Sequence, residues 1–123
     1  MLEKVAFTMY PVTDVKRARA FYEGLLGLET HGTEKIGENM AWIEYDLPGG
    51  GCFALADFTE DVPHANSGGT IAFEVSDLDG LIAHLKNNGV AFAGDMFHSP
   101  VCRMAVCLDP DGNSLLLHQL KNK

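Results

Sequence analysis

The chain has 123 residues, 46% of them hydrophobic, and a formal net charge of −8. This length suits one domain with a core of ordinary size, and the acidic balance argues against nucleic acid or an anionic membrane as a partner, because both favour basic surfaces. No apolar run approaches the roughly 18 residues that a transmembrane helix needs, and no signal-peptide pattern is visible, so we expect a cytoplasmic protein.

The two halves of the chain repeat one pattern. Residues 7–14 and residues 70–77 are each a strand-like run that ends in an Asp able to cap a following helix. A second similarity, at nearly the same offset, relates residues 40–50 to residues 104–113. Two copies of one small unit are therefore predicted.

The first half is predicted to have the order βαβββ. Its strands are residues 4–12, a short strand that contains His31, Met40 to Tyr45, and Cys52 to Ala56. Asp14 begins its helix, which Gly24 and Gly27 end.

The second half is predicted to have the same order. Its strands are Ile71 to Val75, Val90 to Phe97, Cys102 to Leu108 and Ser114 to Leu120. Its helix places Leu78, Leu81, Ile82 and Leu85 on one face and ends at Gly89. Residues 109–113, with Pro110 and Gly112, form a tight turn before the last strand.

These elements predict an α+β fold of two tandem βαβββ modules. The modules would form a curved mixed sheet with a concave trough, and the helices would lie on its outer face. Within the single domain 1–123, module one is residues 1–57, the linker 58–69 and module two 70–123. Three cysteines without a C-x-x-C pair (Cys52, Cys102 and Cys107) predict reduced thiols.

This pattern resembles the vicinal oxygen chelate superfamily, the group of glyoxalase I, bleomycin and fosfomycin resistance proteins and extradiol dioxygenases. The segments that carry the resemblance are Val12-x-Asp14, Ala20-Phe21-Tyr22, Leu25-Leu26-Gly27-Leu28, Phe73-x-Val75-x-Asp77-Leu78 and Asp109-Pro110-Asp111-Gly112-Asn113. The resemblance covers essentially the whole chain and implies the fold. It implies no single function, because the superfamily contains both metalloenzymes and metal-free drug-binding proteins.

The resemblance also implies four positions at which the family's enzymes hold a metal ion. Three of them read Phe7, Thr70 and Leu116 here, and the fourth falls between Ala54 and Asp57. A hard divalent cation needs several oxygen or nitrogen ligands, which Phe and Leu do not provide. We therefore expect no metal and no cofactor.

The predicted site is an apolar one that binds a small molecule. Strand alternation groups Phe7 and Met9, Thr70 and Glu74, and Leu116 and His118 on one face. The complete set of predicted ligand-binding residues is Phe7, Met9, Trp42, Phe53, Thr70, Glu74, His98, Arg103, Leu116 and His118. Six of these residues have a purely structural alternative: core packing for Trp42 and Phe53, exposed positions for Glu74, His98 and His118, and a surface ion pair for Arg103.

The sequence thus favours a metal-free protein that sequesters a hydrophobic or aromatic compound, with no catalytic residues assigned. The alternative is a metal-dependent lyase or dioxygenase whose relocated ligands come from Asp57, Glu74, His98 and His118. A third possibility is a regulatory domain without a ligand. The resemblance further implies a homodimer.

Overall fold

The computed structural model describes residues 1, 3, 5–37, 40–57 and 69–121. The chain divides into two compact units, Met1–Pro63 and His64–Lys123. The predicted linker, residues 58–69, lies outside the described residues except for Gly69.

Unit one has the predicted order of elements. They are β1 (Thr8–Pro11), α1 (Val15–Arg19) with its π-helical continuation (Ala20–Leu25), β2 (Thr30–Gly37), β3 (Met40–Asp46) and β4 (Cys52–Ala56). The strand order in the sheet is β1-β4-β3-β2, with β1 parallel to β4 and the other neighbours antiparallel.

Unit two repeats this arrangement. Its elements are β5 (Ile71–Glu74), α2 (Leu78–Asn87), β6 (Phe92–His98), β7 (Cys102–Leu108) and β8 (Ser114–Leu120). The strand order is β5-β8-β7-β6, again with one parallel pair, β5 with β8. The predicted α+β class with two βαβββ modules is confirmed.

Each helix begins at an aspartate, as predicted. The Asp14 carboxylate accepts a hydrogen bond from the Arg17 amide at 3.1 Å, and the Asp77 carboxylate accepts one from the Gly80 amide at 3.0 Å. These bonds satisfy amides that have no partner within the first helical turn. The repeated Asp therefore fixes where the chain turns from the first strand of each unit into its helix.

The core of unit one is an aromatic cluster between helix and sheet. Tyr22 from the helical segment, Tyr45 from β3 and Phe53 from β4 have no exposed surface. The Tyr22 and Phe53 ring centroids are 5.1 Å apart, and those of Tyr45 and Phe53 are 6.3 Å apart. One face of the sheet is thus covered by the helix.

The core of unit two is built from leucines. Leu78 and Leu85 of α2 are fully buried, as are Leu115 and Leu117 of β8, the strand that α2 contacts. The tight turn before β8 is held by Asp109, whose carboxylate accepts from the Asn113 backbone and side-chain amides at 2.8 and 2.9 Å. This turn sets the antiparallel register of β7 against β8.

Two details of the prediction are corrected. β1 begins at Thr8, so Phe7 precedes the strand instead of lying within it. Gly24 lies inside the π-helical segment, and it is Gly27, with a positive φ of 74°, that follows the helical end.

The three cysteines are free thiols, as predicted. No helix among the described residues is long and apolar enough to cross a membrane.

Three hydrogen-bonded side chains, Arg19, Glu23 and Tyr45, lie at the edge of the unit-one core. The Glu23 carboxylate accepts hydrogen bonds from the Arg19 guanidinium and, at 2.8 Å, from the Tyr45 hydroxyl. The Arg19 hydrogen bond lowers the pKa of Glu23, while burial followed by the Glu23 contact raises the pKa of Tyr45. Glu23 is therefore stabilised in its charged form.

We predict that Phe53→Ala lowers the free energy of unfolding by about 3–5 kcal/mol, because it leaves a cavity in the core. Phe97→Ala is the matched control, since Phe97 is 53% exposed whereas Phe53 is fully buried. The control should change stability by less than about 0.5 kcal/mol. Urea denaturation measures both, and equal losses would contradict the assigned positions.

We also predict that Glu23 contributes pH-dependent stability. Because the pKa of Glu23 is lowered in the folded state, its contribution is present above the ordinary Glu pKa and is lost as the pH falls through the folded value. Wild type should exceed Glu23→Gln by about 1 kcal/mol at neutral pH. Urea denaturation over an acidic pH series should show this difference shrinking, and a constant difference would contradict the assignment.

Candidate functional site

The side of each sheet opposite its helix is called here the open face. In unit two, Leu115 and Leu117 point to the helix side, so their neighbours along β8 point to the open face. The cross-strand register extends this face to the other strands. This face includes Ala72 and Glu74 of β5, Ser114, Leu116, His118 and Leu120 of β8, Met104 and Val106 of β7, and Phe97 of β6.

A hydrogen-bonded pair of titratable side chains lies on this face. His118 Nδ1 is 2.6 Å from Glu74 Oε1, and the Leu120 amide donates to Glu74 Oε2 at 2.9 Å. The two side chains are 26% and 42% exposed, respectively. Both were predicted to share one face, and the parallel pairing of β5 with β8 places them directly opposite each other.

The surroundings of this pair are apolar. Met104 is the cross-strand partner of His118 on β7, and Phe97 is the partner of Met104 on β6. Leu116 and Leu120 precede and follow His118 on the same face of β8. Phe97 and Leu120 are both exposed, so part of this hydrocarbon surface is accessible.

Thr70 lies at the other end of the open face of unit two. Its hydroxyl is 2.6 Å from that of Ser114, and either group could be the donor. A hydroxyl already engaged with another hydroxyl is a weak ligand for a divalent cation. Thr70 therefore provides a polar edge to the face.

The open face of unit one carries aromatic and acidic groups. Trp42 lies on the opposite face of β3 from the buried Ile43 and Tyr45. Its indole Nε1 donates a hydrogen bond to Glu44 Oε1 at 2.8 Å. The Phe7 ring meets the Trp42 ring edge-on, with centroids 5.2 Å apart, although Phe7 is still 47% exposed. The ring faces of this pair are flat and partly exposed to solvent, and aromatic ligands stack on surfaces of this type.

Met9 lies on the same face as Trp42. It pairs with Ala54 of the neighbouring strand, and Ala54 pairs in turn with Glu44. Ala54 has no exposed surface. The predicted residues Phe7, Met9 and Trp42 thus share one face, and Thr70, Glu74, Leu116 and His118 share another.

The remaining predicted site residues lie on the helix sides of the sheets. The Phe53 ring belongs to the aromatic core and has no surface to offer a ligand. Arg103 makes two hydrogen bonds to the Asp79 carboxylate of α2, at 3.0 and 3.2 Å, and one to Gln119. His98 pairs with Arg103 across the strands and shares its side of the sheet. The surface ion pair, one of the two alternatives for Arg103, is the arrangement found.

The register also resolves the fourth metal position that the resemblance implies. Ala54 pairs with Met9 in unit one as Leu116 pairs with Ala72 in unit two. Met9 and Ala72 are equivalent in the repeat, so Ala54 is the equivalent of Leu116. The four positions therefore read Phe7, Ala54, Thr70 and Leu116, and this set does not fit a divalent metal ion.

The described residues offer no substitute metal site. No group of three or more His, Cys, Asp or Glu side chains converges within the described ranges. His98 lies on the opposite side of the unit-two sheet from Glu74 and His118. The Asp57 carboxylate accepts a hydrogen bond from the Ala41 amide at 2.8 Å, which closes the end of β4.

A shallow groove runs along the helix of unit one, away from these faces. It is lined by Val15, Lys16, Arg19, Ala20, Glu23 and Gly24. Arg19 and Glu23 form an ion pair with each other, so these two side chains have little hydrogen-bonding capacity left for a ligand in the groove. The open faces, which hold seven of the predicted residues, are the stronger candidates for ligand binding.

Glu44 and Phe97 are among the open-face residues that sequence reasoning missed. Glu44 could have been found by alternation from Trp42, since the two are separated by one residue. Phe97 could not, because its face depends on a register shift in the pairing of β6 with β7. That shift coincides with Gly94, whose φ is 70°.

Comparison with known proteins gives consistent results. A sequence profile described as the Glyoxalase/Bleomycin resistance protein/Dioxygenase superfamily matches residues 4–117. The uncharacterized protein YetH of Bacillus subtilis (strain 168) is 24% identical over 121 residues, 97% of this chain and 100% of YetH.

Two solved structures are similar over nearly their whole lengths. TnmS3, described as an antibiotic binding protein from Streptomyces sp. CB03234, is 27% identical with a TM-score of 0.80, and the match covers 98% of each chain. A glyoxylase/bleomycin resistance protein/dioxygenase domain from Frankia sp. EAN1pec is 22% identical with a TM-score of 0.79, covering 99% of this chain and 95% of that one.

Trp42 is the only tryptophan of the chain, so its fluorescence reports on the open face of unit one. We predict that Phe7→Ala shifts the emission to longer wavelength, because the indole loses its edge-on neighbour and gains water. Val5→Ala is the control, since Val5 is largely exposed. An unchanged spectrum in Phe7→Ala would contradict the Phe7–Trp42 contact.

Proposed function

This chain belongs to the Glyoxalase/Bleomycin resistance protein/Dioxygenase superfamily, and from that membership we propose that it is a metal-free protein that binds a small hydrophobic or aromatic molecule. Each unit offers its own open face as a binding surface. Phe7, Met9 and Trp42 contribute from unit one, and Thr70, Glu74, Leu116 and His118 from unit two.

The observation that carries this proposal is the chemistry of the four positions where the resemblance places metal ligands. Phe7, Ala54 and Leu116 present only hydrocarbon, and the Thr70 hydroxyl is bonded to Ser114. Apolar side chains in these positions favour an apolar ligand over a hydrated cation, since removing hydrocarbon from water stabilises the complex by about 25 cal/mol per Å².

The lining of both faces supports an aromatic ligand. Trp42 and Phe7 supply ring surfaces in unit one, while Met104 and Phe97 supply a thioether and a ring in unit two. Thioether and aromatic groups make favourable contacts with flat rings. TnmS3, the similar protein described as antibiotic binding, supports a ligand of drug-like size.

Two further features stay predictions: a homodimeric state, which the resemblance implies, and a cytoplasmic location. Gel filtration coupled to light scattering tests the first. The binding proposal does not depend on either, because it is argued from side chains within each unit.

We predict that 2-methoxynaphthalene, an uncharged aromatic without a hydrogen-bond donor, binds saturably in calorimetric titration. Leu116→Glu should weaken binding at least about tenfold, because the ligand would remove water from the new carboxylate when it covers this face. Val101→Glu is the matched control: it adds the same charge at an exposed loop position outside the face. Circular dichroism establishes that both variants are folded.

The same protein preparations test the metal-dependent alternative. Chelator treatment should leave the affinity for 2-methoxynaphthalene unchanged, and Mn²⁺, Ni²⁺, Zn²⁺ or Fe²⁺ should not raise the unfolding temperature. The proposal is wrong if the purified protein carries near-stoichiometric divalent metal whose removal abolishes binding or an activity.

A further inference from the structure

We propose that the Glu74–His118 pair selects ligands that carry a hydroxyl group on an aromatic ring. In this arrangement His118 Nε2 accepts the hydrogen bond of a phenol-type hydroxyl while the ring of the ligand lies on the neighbouring hydrocarbon. The inference rests on the proposed function and names the class of ligand for the open face of unit two.

The first step is the position of the proton on the imidazole. Glu74 Oε1 lies 2.6 Å from His118 Nδ1. A carboxylate can only accept hydrogen bonds, so the proton of a neutral His118 resides on Nδ1. Nε2 is then a bare acceptor, and no hydrogen bond joins it to any residue that the structure describes.

The second step is that the pair is held in place. The other carboxylate oxygen of Glu74, Oε2, accepts from the Leu120 amide at 2.9 Å. Glu74 is therefore fixed between the backbone and the side chain of the neighbouring strand β8, and His118 is fixed by Glu74. A hydrogen bond to one imidazole nitrogen fixes the orientation of the ring, so the other nitrogen is held in position to bind a ligand.

The third step is the environment of the acceptor. Leu116 and Leu120 flank His118 along β8, and Met104 on β7 is its cross-strand partner. A hydrogen bond formed among such apolar groups, once the ligand excludes water, is stronger than one in water. A ligand that covers this surface without offering a donor leaves Nε2 desolvated and unbonded, which is unfavourable.

A matched pair of probes tests the inference: 2-naphthol and 2-methoxynaphthalene share a ring system and differ in the hydroxyl hydrogen. Titrations are made in mildly alkaline buffer. We expect wild-type protein to prefer 2-naphthol by about fivefold to tenfold, as one net hydrogen bond allows.

The variant Glu74→Gln gives the sharpest prediction. The Leu120 amide must still donate to an oxygen, which turns the amide NH₂ of Gln towards His118 Nδ1. Nδ1 must then accept, the proton moves to Nε2, and the acceptor becomes a donor. The preference for 2-naphthol, measured as the ratio of its affinity to that for 2-methoxynaphthalene, should disappear.

Two measurements accompany the titrations. Nitrogen-15 NMR of the imidazole should show the His118 proton on Nδ1 in wild type and on Nε2 in Glu74→Gln. Glu29→Gln removes the same charge at an exposed position and should change neither the tautomer nor the preference. A second variant, His118→Leu, should likewise abolish the preference, measured as the ratio of the two affinities.

The outcomes are distinguishable. Equal affinity of wild type for both probes overturns this inference and leaves the proposed binding function standing. Binding of neither probe overturns both. A preference that persists in Glu74→Gln and in His118→Leu shows that the hydroxyl is recognised elsewhere and also overturns the inference.

Discussion

The parallel pairing of β5 with β8 is the constraint on which the chemistry of unit two depends. It joins the first and last strands of the unit and places Glu74 opposite His118, 44 positions apart in the chain. The same pairing brings the Thr70 hydroxyl to Ser114. Because side chains alternate along a strand, this register also sends Leu115 and Leu117 to the helix and Leu116 to the open face.

Unit one uses the same pairing with different residues. β1 and β4 are joined as β5 and β8 are, but the positions equivalent to Glu74 and His118 read Pro11 and Ala56. The polar pair therefore exists in only one copy of the repeat. In unit one the open face instead carries the Phe7–Trp42 contact and the Trp42–Glu44 hydrogen bond. One scaffold thus presents two faces of different chemistry.

Much of the fold could be predicted from local patterns. The bounds of β4, β7 and β8 agree with alternation and turn residues, and Asp14 and Asp77 cap their helices as expected. These features depend on short-range rules of spacing and hydrogen bonding. The order of strands within each sheet was not among the predictions and is known from the structure.

The site could be predicted only in part. Glu74 and His118 were correctly given one face, but their direct contact depends on which strands are neighbours, and no local rule contains that information. Arg103 was proposed for the ligand by analogy, although its alternation with Met104 assigns it to the other side of the sheet. Phe53 was ambiguous because a phenylalanine on a two-faced strand suits either the core or a ligand.

The central claim for unit two is that its open face, and not its helix side or a metal centre, receives a hydroxylated aromatic ligand. Methyl NMR during titration with 2-naphthol tests it directly. We expect shifts at the methyl groups of Met104 and Leu116, with those of Leu115 and Leu117 unchanged, since these point to the helix. Shifts confined to Leu115 and Leu117, or broadening of the open-face methyls by stoichiometric Mn²⁺, would contradict it.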